Sequence, residues 1–164
     1  EIDPEGFIRI VDRKKDLLVT AGGKNIAPQP IENMLKTFPI VGDVCVVGDK
    51  KKFVSALIVP NPEEAKKLLG EKEYESLSPK DLAEHPKVHQ AIQEAVDAVN
   101  ARLARYEQIK RFAVLTNTFS LETGEITPTL KVRRKAVIDQ YIKLIDSLYE
   151  EANPEDQLKQ QHTP

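Results

Sequence analysis

The chain has 164 residues, 40% of them hydrophobic and 30% charged, with a formal net charge of −2. That length suits one domain with its own hydrophobic core and is short for two. No apolar run approaches the roughly 20 residues of a membrane-spanning helix, and interspersed acids and bases leave no overall field to draw the chain to nucleic acid or an anionic membrane, so a local cluster has to supply any anion binding.

Gly6 to Val11 alternates and is β-branched, Leu17 to Thr20 is a short apolar run, and the charged stretch Asp12 to Asp16 separates these two expected strands. Gly22-Gly23 supplies a tight turn, Pro28 and Pro30 punctuate, and a short helix is expected from Ile31 to Lys36, with proline at or near its first position. Val41 to Val47 and Phe53 to Val59 read as a hairpin around the polar turn Gly48 to Lys52. Cys45, the single cysteine, sits in the apolar run Val44 to Val47 and is expected to be a buried hydrophobe. One cysteine excludes an internal disulfide and fits a reducing compartment.

Asn61-Pro62-Glu63-Glu64 is a capped helix start, with a stop expected at Gly70. Glu71 to Glu84, polar and punctuated by Pro79, reads as a loop with at most a short helix. After Pro86, the spacing of Val88, Ile92, Val96, Val99 and Leu103, with Tyr106 continuing it, predicts the longest helix, about six turns. Ile109 to Leu115 is a strand, Thr116 to Thr129 a loop, and a last helix is expected to start near Lys131 or Val132, with Val137, Ile138, Tyr141, Ile142, Ile145 and Leu148 on its apolar side, before a polar tail beyond Ala152. His85 and His89 could share a helix face, but neither they nor His162 has metal-ligand company at suitable spacing. The fold class that follows is α+β, or α/β-like: a small mixed sheet, flanking helices and an N-terminal β-hairpin.

Two distant segments carry a resemblance. Gly6 to Pro28, containing Asp12-Arg13-Lys14-Lys15-Asp16 and Gly22-Gly23-Lys24-Asn25 and followed by Ile31-Glu32, and Gly124 to Arg134, containing Thr127-Pro128-Thr129-Leu130-Lys131, together resemble the C-terminal domain of the adenylate-forming superfamily of acyl-CoA synthetases, luciferases and peptide-synthetase adenylation domains. The resemblance implies a mobile lid over residues 18–152, a hinge over 12–17, an edge strand of a large N-terminal domain over 1–11, and a frayed tail over 153–164. It also implies that Arg13 contacts the nucleotide ribose, that Asp12 and Lys15 form the pivot, and that Gly22 and Gly23 line the pantetheine tunnel, with Lys24 near a CoA or AMP phosphate. Lys131 would enter the adenylation site, between the substrate carboxylate and the α-phosphate. Without the resemblance, Lys131, Arg133, Arg134 and Lys135 read as a solvated basic helix start, Lys50 to Lys52 as a soluble edge and Gly22-Gly23 as a turn.

Many relatives carry Ser-Gly before the lysine, where this chain has Thr129-Leu130, which resembles the long-chain and bacterial fatty-acyl branch. The implied activity is a long-chain fatty acid–CoA ligase, with fatty acid, ATP and CoA as substrates and Mg2+ and most ATP contacts in the large domain. The chain, which opens on Glu1 without a signal-peptide pattern, is expected to be a fragment of a cytoplasmic enzyme, with peripheral membrane contact open and negligible activity alone. An acyl-AMP ligase loading a carrier protein and a non-catalytic α/β binding or regulatory module are the alternatives.

Overall fold

The computed structural model describes residues 17–115 and 133–149, together with Gly124, Ile126 and Pro128. The expectations for the Gly6–Val11 strand, for Asp12, Arg13 and Lys15, for Lys131 and for the tail lie outside these residues.

Two short strands, β1 (Leu18–Val19) and β2 (Asn25–Ile26), pair antiparallel with Leu18 opposite Ile26. Helix α1 (Pro28–Lys36) starts three residues ahead of the expected Ile31. Both prolines fall in its first turn, where the backbone N–H groups have no intrahelical acceptor, so their missing donors cost the helix nothing. Strands β3 (Val41–Val47) and β4 (Val54–Pro60) form the expected antiparallel hairpin.

Four helices link β4 to the last strand. Asn61 Oδ1 accepts from the Glu63 and Glu64 amides at 3.0 and 3.4 Å and starts α2 (Pro62–Leu69), which Gly70 ends at a φ of 89°. The segment expected to be a loop is instead two helices, α3 (Glu71–Ser76) and α4 (Pro79–Glu84). Its polarity reflects exposed helix rather than loop, since α3 buries no residue and Ser78 caps α4 through the Asp81 amide at 3.2 Å.

Helix α5 (Pro86–Asn100) has 15 residues, which at 3.6 per turn is about four turns rather than six. Asn100 accounts for the early stop: its Oδ1 accepts from the Ile109 amide at 2.8 Å and its Nδ2 donates to the Ile109 carbonyl at 2.9 Å, as a paired strand would. Tyr106 falls in a 3-10 turn, Arg105–Glu107. Strand β5 (Ile109–Val114) then runs parallel to β4, so the three-stranded sheet is mixed, in the order β3-β4-β5. The single last helix expected is two, α6 (Arg134–Gln140) and α7 (Ile142–Tyr149), because Tyr141 leaves the helical region at a φ of −112° and the apolar phase slips, burying Val137 and Ile145 but exposing Ile142.

Helices cover both sheet faces, which is why every residue of β4 is buried. Val44, Val46, Ala56 and Ile58 face a core shared with Ile31 and Ile92, while Cys45, Val47, Leu57 and Val59 face Val137 and Ile145.

Gly42 sits at a register shift in β3, where a Cβ would lie 3.1 to 3.3 Å from Val59 O, Pro60 O and Asn61 Cα. All three are backbone atoms of the adjoining strand and helix cap, so nothing flexible can give way. Gly42→Ala is expected to cost about 1–3 kcal/mol of stability, the usual range for overpacking, measured by urea denaturation; an unchanged midpoint would contradict this close approach.

Candidate functional site

The glycine hairpin between β1 and β2 is held at both ends. Gly23, at a φ of 82°, donates its amide to Thr20 O at 2.9 Å, and the Lys24 amide donates to Thr20 Oγ1 at 3.2 Å. The left-handed backbone there favours glycine. Three further hydrogen bonds tie the hairpin to the β3–β4 turn: the Val19 amide donates to Asp49 Oδ1 at 3.0 Å, the Lys50 amide to Val19 O at 2.7 Å and the Ala21 amide to Lys51 O at 2.8 Å. Lys50 adopts a φ of 60° to do so, a costly conformation for a residue with a Cβ that these bonds offset. Gly22, Gly23 and Lys24 are exposed, and Lys24 Nζ lies 5.4 Å from the centre of the exposed Tyr106 ring, within cation–π range. Lys51 is drawn the other way, over Tyr149 and toward Asp146 at 3.8 Å, while Lys50 and Lys52 are exposed.

The second feature is an ion pair. Arg134, the first residue of α6, reaches Glu32 of α1 through two parallel bonds, from one terminal nitrogen to Oε2 at 3.0 Å and from the other to Oε1 at 2.8 Å. The pair brackets one residue of β3: the Val46 amide donates to Glu32 Oε2 at 3.0 Å, and Arg134 donates to the Val46 carbonyl at 2.8 Å. Only 9% of the Glu32 side chain and 18% of the Arg134 side chain remain exposed. Burial works against the Arg134 charge, but the hydrogen-bonded Glu32 carboxylate outweighs it and holds the guanidinium pKa above its ordinary value. Beside the pair, burial pushes the Cys45 thiol up to about 12 despite the lowering influence of Arg134, so Cys45 is a packed hydrophobe and not a nucleophile.

Of the residues singled out from sequence, Gly22, Gly23 and Lys24 come together on the exposed hairpin, whereas Asp12, Arg13, Lys15 and Lys131 lie outside the described residues. The solvated reading holds for Arg133 and Lys135 and fails for Arg134. Sequence reasoning also missed Glu32, although it shares the buried stripe of Pro28, Ile31 and Leu35, a position where a carboxylate needs a cation. Asp49 left no such signal. His85 caps α5 by accepting the Lys87 amide on Nδ1 at 3.2 Å, so its Nε2 carries the proton that it donates to Glu73 at 2.9 Å. Among the described residues, no three His, Cys, Asp or Glu side chains converge as a metal site requires, and no helix is long and apolar enough to cross a membrane.

Asp49→Ala is expected to raise the hydrogen-exchange rate of the Val19 amide about fivefold, the effect of losing roughly 1 kcal/mol of hydrogen bonding, while β4 amides stay protected. An unchanged rate at Val19 would mean that the turn does not hold the hairpin.

The same architecture occurs in known proteins. An adenylation domain of carboxylic acid reductase from Segniliparus rugosus, solved with AMP and a co-purified carboxylic acid, superposes with a TM-score of 0.70 at 26% identity, over 90% of this chain and 22% of that one. A fatty acyl CoA synthetase of Mycobacterium tuberculosis gives a TM-score of 0.52 at 26% identity, over 86% of this chain and 22% of that one. In sequence, a long-chain-fatty-acid–CoA ligase of Mycobacterium tuberculosis is 40% identical over 152 residues, 90% of this chain and 25% of the relative. One of Bos taurus is 36% identical over 172 residues, 92% of this chain and 23% of the relative. The chain thus spans about a quarter of the length of the curated relatives it matches. The profile of the AMP-binding enzyme C-terminal domain covers residues 15–153, which takes in the glycine hairpin, both helical layers and the sheet between them, and the chain belongs to that family.

Proposed function

We propose that this chain is the C-terminal lid of an ATP-dependent long-chain fatty acid–CoA ligase, which joins a fatty acid to CoA through an acyl-adenylate. The observation that carries this reading is the 40% identity to a long-chain-fatty-acid–CoA ligase across 90% of the chain. The matched quarter of that relative leaves a large N-terminal portion to bind the acyl chain and most of ATP. Among the described residues, no carboxylates converge as a Mg2+ site would require.

In the first half-reaction the fatty-acid carboxylate attacks the α-phosphorus of ATP and pyrophosphate leaves. Two anions meet, and negative charge builds on the phosphoryl oxygens; Lys131 supplies the mobile point charge that offsets it. A lysine suits this role better than the planar fork of an arginine does, since the domain that carries it has to arrive and leave. In the second half-reaction the CoA thiol displaces AMP, and the Gly22–Lys24 hairpin lines its approach, with backbone exposed and no side chain at Gly22 or Gly23 to block it. Asp12 and Lys15 form the pivot that exchanges the two arrangements, and Arg13 holds the ribose. A charged, solvated connector can take up such a rotation without exposing apolar surface.

A second reading, transfer of the acyl group to a carrier protein, is favoured by a TM-score of 0.65 at 26% identity to an adenylation–carrier didomain of carboxylic acid reductase from Segniliparus rugosus. Free CoA serving as acceptor in the full-length protein separates the two.

In the full-length protein, Lys131→Ala is expected to lower fatty-acid-dependent pyrophosphate exchange by about 10²–10³-fold, the size of effect seen on removing one charge-stabilising group. Thioester formation from supplied acyl-adenylate and CoA should persist. Exchange at the wild-type rate would remove Lys131 from the reaction.

A further inference from the structure

We propose that Asp49 is a positioning residue for the thioester half-reaction, acting through the backbone of the glycine hairpin. The proposal rests on the reading, given above, that Gly22 to Lys24 lines the approach of the CoA thiol.

Leu18 and Ile26 anchor the base of that hairpin in the core, but Ala21 to Asn25 are exposed, and a two-stranded ribbon of this size is marginal in water on its own. The tip therefore takes its position from hydrogen bonds. One edge of β1 pairs with β2, and on the other edge both backbone groups of Val19 are taken up by the β3–β4 turn: the amide by Asp49 Oδ1 at 3.0 Å, the carbonyl by the Lys50 amide at 2.7 Å. The Ala21 amide, one residue before Gly22, donates to Lys51 O at 2.8 Å. Of these three bonds only the first is made to a side chain, so it alone can be removed while the backbone of the turn is left intact.

The turn is itself fixed. Phe53, the residue after it, packs against Tyr149 of α7 with ring centres 4.7 Å apart, and the Tyr149 hydroxyl donates to Phe53 O at 2.8 Å. Lys51 lies 5.4 Å from the centre of the same ring and 3.8 Å from Asp146 of α7. Asp49 thus extends from a rigid base to the edge of a hairpin that has little burial of its own.

Folding does not require the Asp49 bond. It is exposed, so water can replace the carboxylate at the Val19 amide and no buried donor is orphaned. A water molecule, however, has no fixed place relative to the turn. Without Asp49 the outer edge of β1 is held only at Val19 O and Ala21, and an error there carries to Gly22, the next residue. Small displacements of this kind cost rate when a reacting group has to be aligned.

The test uses the full-length protein with Asp49→Ala and Asp49→Asn. Both remove the charge, but asparagine keeps an oxygen acceptor, so the difference between them reports the hydrogen bond. With alanine, kcat/KM for CoA in thioester formation from supplied acyl-adenylate is expected to fall about fivefold, the factor that one lost hydrogen bond corresponds to, and asparagine should return it to within about twofold of wild type. Fatty-acid-dependent pyrophosphate exchange should stay within about twofold of wild type in both variants, and the melting temperature within about 2 °C. Thioester formation at the wild-type rate with alanine overturns the proposal, as do equal losses in both half-reactions or equal losses with alanine and asparagine. Gly22→Leu is the control, since a Cβ there meets only Thr20 Oγ1, at 3.9 Å. If it leaves thioester formation intact, the role of the hairpin fails and the proposal with it; if it blocks thioester formation while Asp49→Ala does not, only the role of Asp49 fails.

Discussion

A guanidinium and a carboxylate, each largely out of water, join α1, the helix that follows the glycine hairpin, to α6. The two elements lie about a hundred residues apart in sequence, and neither could fix the other through local structure. The pair also settles a backbone problem. β3 is the edge strand of its sheet, and the Val46 amide and carbonyl on its outer side are taken up by Glu32 and Arg134 instead of by another strand. One interaction thus satisfies the outward backbone groups of Val46 on the edge strand and joins α1 and α6 to it.

Around that frame the domain divides its work between rigid and exposed parts. The central strand is buried on both faces, and the helices against it contribute apolar stripes. The residues expected to meet substrates sit at the margins instead: the hairpin with Gly22, Gly23 and Lys24 is exposed, and its position comes from backbone bonds to a neighbouring turn rather than from burial. Under the proposed function, such an arrangement suits a surface that enters and leaves another domain's site. It presents polar backbone and cations to solvent without exposing a large apolar area.

Much of this was legible in the sequence. The β3–β4 hairpin, the buried Cys45 and the Asn61 cap follow from alternation, β-branching and cap chemistry, and all appear where expected. Errors fell where tertiary contacts override local pattern. Asn100 ends a helix whose apolar period continues to Leu103, because its amide is claimed by Ile109. Residues 71–84 form exposed helices whose polarity resembles that of a loop. Arg134 looked like its neighbours Arg133 and Lys135, and only the carboxylate a hundred residues away distinguishes it. Glu32 carried a usable signal, a charge inside an apolar stripe; the cation it requires could not be named from one sequence.

The central claim, that the pair is formed in solution and takes up the outward Val46 amide and carbonyl of β3, is tested most directly at one amide. Hydrogen exchange of Val46 in the wild-type chain is expected to be as slow as that of the β4 amides, and Glu32→Ala should speed it by at least about tenfold, since a charge-assisted bond contributes about 1.5–3 kcal/mol. A Val46 amide that exchanges equally fast with and without Glu32 would contradict the account.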